Sequence, residues 1–240
     1  MTDGRHLVEP IRIGGIERFS IVDFPNRMAA VVFMQGCPWR CPYCHNGHLQ
    51  DVNAETNIVW YKFIDFLKQR KGMLDAVVFS GGEPLVQKGL AEAINEVRDL
   101  GYQIGLHTGG YLPAYFKEIL SQVDWVGFDV KAPLSKEKYK KITGGIADVA
   151  KVKESLKILC DSGKAFECRT TCDPRFLSVQ DIYEIADSLH AMGVKEYYLQ
   201  KYRPIPSDTD TTESQCLGLV EDDKLNAYLR ESFSIFDVRK

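Results

Sequence analysis

Ala29-Ala30-Val31-Val32-Phe33-Met34-Gln35-Gly36-Cys37-Pro38-Trp39-Arg40-Cys41-Pro42-Tyr43-Cys44-His45-Asn46 is an apolar, β-rich run that empties into a loop of three cysteines. The C-x3-C-x2-C spacing presents three thiolates on one short segment, which suits a metal cluster better than a disulfide. Four-iron clusters normally take four cysteine ligands. Three would leave one iron with an open position, where chemistry takes place. Zinc is the competing occupant, because Cys3His sites exist and His45 follows Cys44. Zinc modules, however, usually pair their ligands on two separate turns, and no second pair is present. Cys160, Cys168, Cys172 and Cys216 lack C-x2-C spacing, and Cys160 and Cys168 fall in apolar contexts where buried thiols are common.

Working outward from this stretch, apolar β-rich runs recur at 75–80, 103–108, 124–130, 165–171 and 196–202. Helical patterns separate them. Trp60, Phe63, Ile64 and Leu67 share one face, as do Leu90, Ile94 and Val97, and then Ile182, Ile185, Ala186 and Leu189. Ser178 with Asp181 reads as an N-terminal cap, and Gly101, Gly163 and Gly193 follow helices as stops. Six strands alternating with helices predict an α/β fold with a parallel sheet and right-handed crossovers. One domain is expected over 1–240, with an N-terminal extension over 1–28 and a mobile loop over 205–220, whose Ser207–Gln215 stretch is polar. No internal repeat or low-complexity tract interrupts it.

The 240 residues are 45% hydrophobic and 26% charged, within reach of one α/β core. A net charge of −3 gives no basic field of the kind that attracts nucleic acid. No apolar run approaches the ~20 residues of a membrane span, and Met1–Pro10 lacks the apolar core of a secretory signal. Seven cysteines, with three clustered as ligands, suit a reducing cytoplasm.

The chemical signals follow strand ends: the cysteine loop after the first strand, Ser80-Gly81-Gly82-Glu83-Pro84 after the second, His107-Thr108-Gly109-Gly110 after the third, and Asp129 with Lys131 at the end of the fourth. C-terminal strand ends are where barrels and open α/β sheets gather their sites. Asp129-Val130-Lys131 alternates, so its two polar side chains share a face. Arg169 lies in an otherwise buried strand and needs partners, either a cofactor or an ion pair with Glu167, Asp129 or another acid. His45 and Asn46 read as loop stabilisers, and His6, His48 and His190 carry no catalytic expectation.

With Tyr43 directly before the last cysteine, the C-x3-C-x2-C run resembles the signature of the radical S-adenosylmethionine superfamily, and the resemblance extends over nearly the whole chain. It implies a partial (β/α)6 barrel, open on one side, with parallel strands and outer helices. It further implies one 4Fe–4S cluster held by Cys37, Cys41 and Cys44, and S-adenosylmethionine chelated to the open iron. Reductive cleavage of that cofactor gives methionine and a 5′-deoxyadenosyl radical, which takes a hydrogen atom from the substrate. The cofactor and cluster carry the chemistry, and no side chain is assigned an acid–base role. Gly81, Gly82 and Glu83 match the glycine-rich cofactor loop, where bare backbone admits the methionine moiety. Gly82→Val is therefore expected to weaken cofactor binding with the iron retained. By the same resemblance Tyr43 lies near the adenine, Asp129 and Lys131 near the methionine end, and Thr108 and Arg169 among the cofactor contacts.

A finer resemblance rests on Ile13-Gly14-Gly15, Phe19-Ser20-Ile21-Val22-Asp23-Phe24-Pro25, Cys44-His45-Asn46, Val126-Gly127-Phe128-Asp129-Val130-Lys131-Ala132-Pro133, Tyr139 with Ile142-Thr143-Gly144, Arg169-Thr170-Thr171 and Gln200-Lys201-Tyr202-Arg203-Pro204. This series is similar to the activating proteins of anaerobic ribonucleoside-triphosphate reductase. It implies a glycyl-radical reductase as the protein substrate and a low-potential flavodoxin or ferredoxin as electron donor. Two alternatives stay open: another glycyl-radical enzyme such as pyruvate formate-lyase as the partner, or a small pterin-like or nucleoside substrate. A zinc-stabilised binding module is the reading outside enzymes. The chain departs from many activases at His107-Thr108-Gly109-Gly110, where they carry Asp-Thr-Asn-Gly. A neutral histidine binds alkali ions poorly, so no sodium or potassium is predicted there. Gln200 stands roughly where some activases place a cofactor-facing histidine, and its role is equally open.

Overall fold

Ahead of the first expected strand stands another, inside the segment assigned to the N-terminal extension. β1 (Ile13–Ser20) pairs antiparallel with β2 (Ala29–Met34), Ile13 opposite Met34 and Ser20 opposite Ala29. Its two glycines and the Glu17-Arg18 pair break the apolar pattern, and only its first and last residues are buried. The computed structural model describes residues 11–205 and 208–240. Expectations for Met1–Pro10, His6 included, and for residues 206 and 207 fall outside the described residues.

The chain divides into two compact units. The first holds the residues up to 38 with 48–108 and 114–126; the second holds 39–47, 109–113 and 127–240. In the first unit β2 pairs parallel with β3 (Ala76–Gly81), and β3 with β4 (Gln103–Thr108). Nearly every residue of these strands is buried, as expected of a parallel sheet covered on both faces, and this is why they read as unbroken apolar runs. The crossovers are α1 (Trp60–Gln69) and α2 (Leu90–Asp99), burying Phe63, Ile64 and Leu67, and Leu90, Ala93, Ile94 and Val97. These are the faces the periodicity selected. Beneath the sheet Phe24, Ala29, Val31, Ala76, Val78 and Trp125 form one cluster. The chain passes from one unit to the other within α3 (Pro113–Ile119) and again within β5 (Trp125–Asp129).

In the second unit α4 (Lys136–Ile142) and α5 (Val149–Asp161) lead to β6 (Ala165–Cys172), then α6 (Val179–Ala191) and β7 (Glu196–Lys201). Ser178 and Asp181 form the reciprocal cap read from the sequence. The chain ends with α7 (Glu213–Val220), α8 (Asp223–Ser232) and β8 (Ile235–Arg239). β6, β7 and β8 pair parallel in that order. Two corrections follow. The segment 205–220, expected as a loop, is helical in its second half, because Thr212 and Gln215 cap each other's backbone and Cys216, Leu219 and Val220 are buried. β8 is a further strand, with alternating exposure and five residues only. Among the described residues no helix is long and apolar enough to cross a membrane.

β8 is locked by one ion pair. Glu167 on β6 is fully buried, and Arg239 grips both its oxygens, at 2.5 and 2.7 Å, while lying 3.7 Å over the Tyr198 ring. Arg239→Leu strands that carboxylate without its partner. The expected loss is about 3 kcal/mol, the lower end for a broken buried pair because the arginine is partly exposed. Thermal unfolding reads it as a clear fall in Tm, with Arg239→Lys falling less. An unchanged Tm would mean that water replaces the pair.

Candidate functional site

The first unit supplies two turns bonded back to back. The Gly36 N–H donates to the Leu49 carbonyl at 2.8 Å and the Cys37 N–H to that of Gln50 at 3.2 Å. From the next strand end, the Gly82 N–H donates to the Met34 carbonyl at 2.9 Å and the Glu83 N–H to that of Gly36 at 3.0 Å. A Cβ on Gly82 would stand 2.1 Å from the Gly36 carbonyl oxygen. The glycine is thus needed for the backbone of the cysteine turn itself, whatever else approaches it. This changes the expected result for Gly82→Val: the clash falls on the residue before Cys37, so Tm and iron incorporation should fall together. A normal Tm with intact iron would restore the reading of Gly82 as a cofactor contact alone.

Glu83 is 2% exposed. Its Oε1 accepts from the Thr108 hydroxyl at 2.6 Å and from the Leu85 N–H at 3.2 Å. Two residues that sequence reading placed on separate loops are therefore in direct contact, with a buried carboxylate between two turns. His107 has both ring nitrogens engaged. A carbonyl can only accept, so Nε2 carries the proton donated to the Asp23 carbonyl at 2.9 Å, and in the neutral ring Nδ1 accepts from Ser80 Oγ at 3.2 Å.

The second unit holds the rest of the cysteine loop. The Cys44 N–H donates to the Cys41 carbonyl at 3.1 Å, and the Arg40 N–H to that of Thr143 at 3.0 Å. Gly144, at φ +74°, would place a Cβ 2.7 Å from that of Arg40, so Thr143-Gly144 is the anchor for this half of the loop. Tyr43 is buried between Phe176 and Tyr202, each ring centre 6.4 Å away. Its hydroxyl is buried with no hydrogen-bond partner, as is the Trp39 indole nitrogen. His45 stacks on Tyr202 at 5.1 Å and bonds the Arg203 carbonyl at 2.7 Å, consistent with a loop-stabilising role. Trp39, Phe176, Tyr202 and the Thr143-Gly144 anchor were not assigned these roles from sequence. The aromatic content of the loop was the available signal.

Asp129 and Lys131 share a face as the alternation predicted, and Arg169 joins them. The Arg169 guanidinium lies 2.9 Å from Asp129 Oδ1, with a second bond from Nε at 3.0 Å, and Lys131 Nζ lies 3.5 Å from Oδ2. Of the open partners for Arg169, the structure selects Asp129; Glu167 is taken by Arg239. Lys131 Nζ also sits 5.6 Å over the Trp39 ring. Burial works against the Lys131 charge, yet the Asp129 carboxylate holds it well above the usual lysine range. Burial likewise pushes the Cys41 thiol up, with Lys131 pulling the other way. Any bound metal would have to take that proton's place, and the nearby cation assists the thiolate.

Of the other cysteines, Cys168, Cys172 and Cys216 are buried, and burial raises the thiols of Cys160, Cys168 and Cys172. Such groups behave as small apolar side chains. No three His, Cys, Asp or Glu side chains stand ready as a metal site among the described residues. The three loop thiols qualify as a donor set by chemistry and spacing, not by a preformed cage.

The profile of the radical S-adenosylmethionine superfamily matches residues 31–171, well over half of the chain. The chain belongs to this superfamily. Radical S-adenosylmethionine enzymes carry a 4Fe–4S cluster and S-adenosylmethionine, and the α/β fold with parallel strands and outer helices is theirs. A Methanocaldococcus jannaschii protein that carries the name glycyl-radical enzyme activating enzyme is 33% identical over 201 residues, 80% of each chain. Pyruvate formate-lyase-activating enzyme of Clostridium pasteurianum is 27% identical over 240 residues, 92% of this chain and 97% of its own. Among solved structures, Streptococcus suis SuiB bound to precursor peptide SuiA superposes with a TM-score of 0.68 at 17% identity, covering 88% of this chain. The chain spans about half of SuiB, 48%. That likeness concerns the fold alone.

Proposed function

We propose that this radical S-adenosylmethionine enzyme installs a glycyl radical on an oxygen-independent ribonucleoside-triphosphate reductase. The observation that carries the activase reading is the 33% identity, over 80% of both chains, to a protein named for glycyl-radical enzyme activation. The reductase as partner is supported by the motif series from Phe19-Ser20-Ile21-Val22-Asp23 through Gln200-Lys201-Tyr202. Pyruvate formate-lyase is the second reading, favoured by the near full-length match to its activating enzyme.

In this proposal Cys37, Cys41 and Cys44 ligate three irons of the cluster. When bound, the cluster and S-adenosylmethionine would supply one-electron chemistry, with the electron spent in generating the group that takes a hydrogen atom from a glycine Cα. The chain's own residues bind and orient. Three of them form the charged set for the methionine end: Asp129, fixed by Arg169, offers a carboxylate to an ammonium, and Lys131 offers a cation to a carboxylate. The turn of Gly81, Gly82 and Glu83, tied to Thr108, lines the cofactor with backbone. Tyr43 brings a buried hydroxyl without a protein partner, a fit for a polar group of the nucleoside. A low-potential flavodoxin or ferredoxin delivers the electron. The test offers the reductase and pyruvate formate-lyase separately to the reconstituted protein under one chemical reductant. Activation of the reductase alone supports the proposal; activation of the lyase alone moves the assignment to the second reading.

A further inference from the structure

The reading above requires an electron from outside the chain. Residues 136–157 hold seven lysines against three acids, a net of +4 in a chain of net −3, so all other residues sum to −7. The charge is concentrated and mostly unneutralised. Lys138 is taken by Asp181 and Glu184, and Lys157 by Asp161. Lys136, Lys140, Lys141, Lys151 and Lys153 are exposed and in no ion pair among the described residues. Between the two helices the turn is fixed, with the Gly145 N–H donating to the Lys140 carbonyl at 2.7 Å. It presents Ile146 at 54% exposure. An exposed apolar side chain on a turn between two helices that carry exposed lysines has the composition of an interface core with a polar rim.

The position of this turn gives it meaning. Thr143 and Gly144 hold Arg40, the residue before Cys41. The lysine-rich segment therefore contains the anchor of a proposed cluster ligand. We infer that Ile146, with Lys140, Lys141 and Lys151 around it, is the docking surface for an acidic, low-potential one-electron carrier protein. The inference rests on the activase reading and names the donor's binding site. One electron passes from the reduced carrier, which is oxidised by its loss, to the cluster, which is reduced by its gain, and no bond is made or broken. An acidic partner fits because opposite charge steers encounter and sets orientation, while the exposed isoleucine supplies contact.

The experiment uses the cluster-loaded protein and a reduced acidic flavodoxin as probe, reading the Kd of the pair and the rate of cluster bleaching. Charge reversal by Lys140→Glu with Lys141→Glu should weaken flavodoxin binding and slow bleaching about tenfold at low salt. Wild-type values should fall toward the variant's as salt rises. Bleaching by dithionite, iron content and Tm should stay unchanged in the variant. Ile146→Asp, on the turn, and Lys151→Glu, beyond it, should each reproduce a smaller part of the effect and serve if the double variant folds poorly. Flavodoxin binding and bleaching at wild-type rates in these variants would overturn the inference. So would equal losses with dithionite, which would make the lysines structural. Glycyl-radical yield with dithionite in place of flavodoxin tests the activase reading separately, so the two can fail independently.

Discussion

Cys37→Ala, Cys41→Ala and Cys44→Ala should each leave the protein without a stable cluster, with iron per chain near background after anaerobic reconstitution and no S-adenosylmethionine cleavage. The size of the effect follows from the ligand count. With only three protein thiolates on the loop, losing one leaves two of four irons without a protein ligand. Tm of the metal-free protein should change little, since Cys37 and Cys41 are tied to their neighbours through backbone groups that alanine keeps. Cys160→Ala, Cys168→Ala, Cys172→Ala and Cys216→Ala should retain full iron. The last three should lose stability, by about 1 kcal/mol each, as buried small-residue truncations. Iron loss on replacing any of these four, at normal Tm, would point to a second metal site and break the assignment.

Asp129→Ala should be the most damaging single change outside the cysteines. It leaves Arg169, only 8% exposed, without its carboxylate, and Lys131 without the group that holds its charge. The Asp129 side chain is 32% exposed, so the loss is about 3 kcal/mol, the lower end for a broken buried pair; Tm should fall, and S-adenosylmethionine affinity should fall at least about tenfold if a carboxylate–ammonium contact is lost. The stability difference has a defined pH range. The Lys131 value is raised in the folded chain, so its contribution is fully present below lysine's unfolded value of about 10.4. It is lost as pH rises through the higher folded value. The Lys131 part of the difference should therefore hold throughout neutral pH and disappear only in strong alkali, while the Arg169 part persists there because a guanidinium keeps its charge. Asp129→Asn, which keeps one acceptor for Arg169, should lose less stability while losing cofactor affinity. Weak binding at wild-type stability in Asp129→Ala would mean that Arg169 finds another partner.

The parts of the fold legible in the sequence were those with one-sided or continuous apolar patterns. β2 and β3 read clearly because buried parallel strands carry near-continuous apolar runs, β7 because buried Tyr197 and Leu199 alternate with less buried residues, and α6 because Ser178 and Asp181 announce its start. β1 was hidden by Gly14, Gly15 and Glu17-Arg18. α7 was hidden by its polar approach, although Thr212 and Gln215 spell a capping box three residues apart. β8 owes its place to a contact with Glu167, 72 residues away in sequence, which no local pattern contains. The same limit applies to the candidate site. The cysteine spacing and the Asp129/Lys131 alternation are local and were readable. The Glu83–Thr108 bond, the choice of Asp129 for Arg169, and the Arg40–Thr143 anchor are long-range pairings. Gly82 shows the difference best: its sequence context suggested room for a ligand, whereas its neighbour is the Gly36 carbonyl beside Cys37.

The most direct measurement is low-temperature electron-spin resonance of the reconstituted protein mixed with oxygen-independent ribonucleoside-triphosphate reductase, S-adenosylmethionine and a low-potential reductant. The expected result is the doublet of a glycyl radical, collapsing when the reductase carries α-deuterated glycine, and absent when Cys41→Ala replaces the wild-type protein. A lone protein that turns over a pterin or nucleoside precursor rapidly, with no doublet on any glycyl-radical partner, would contradict it.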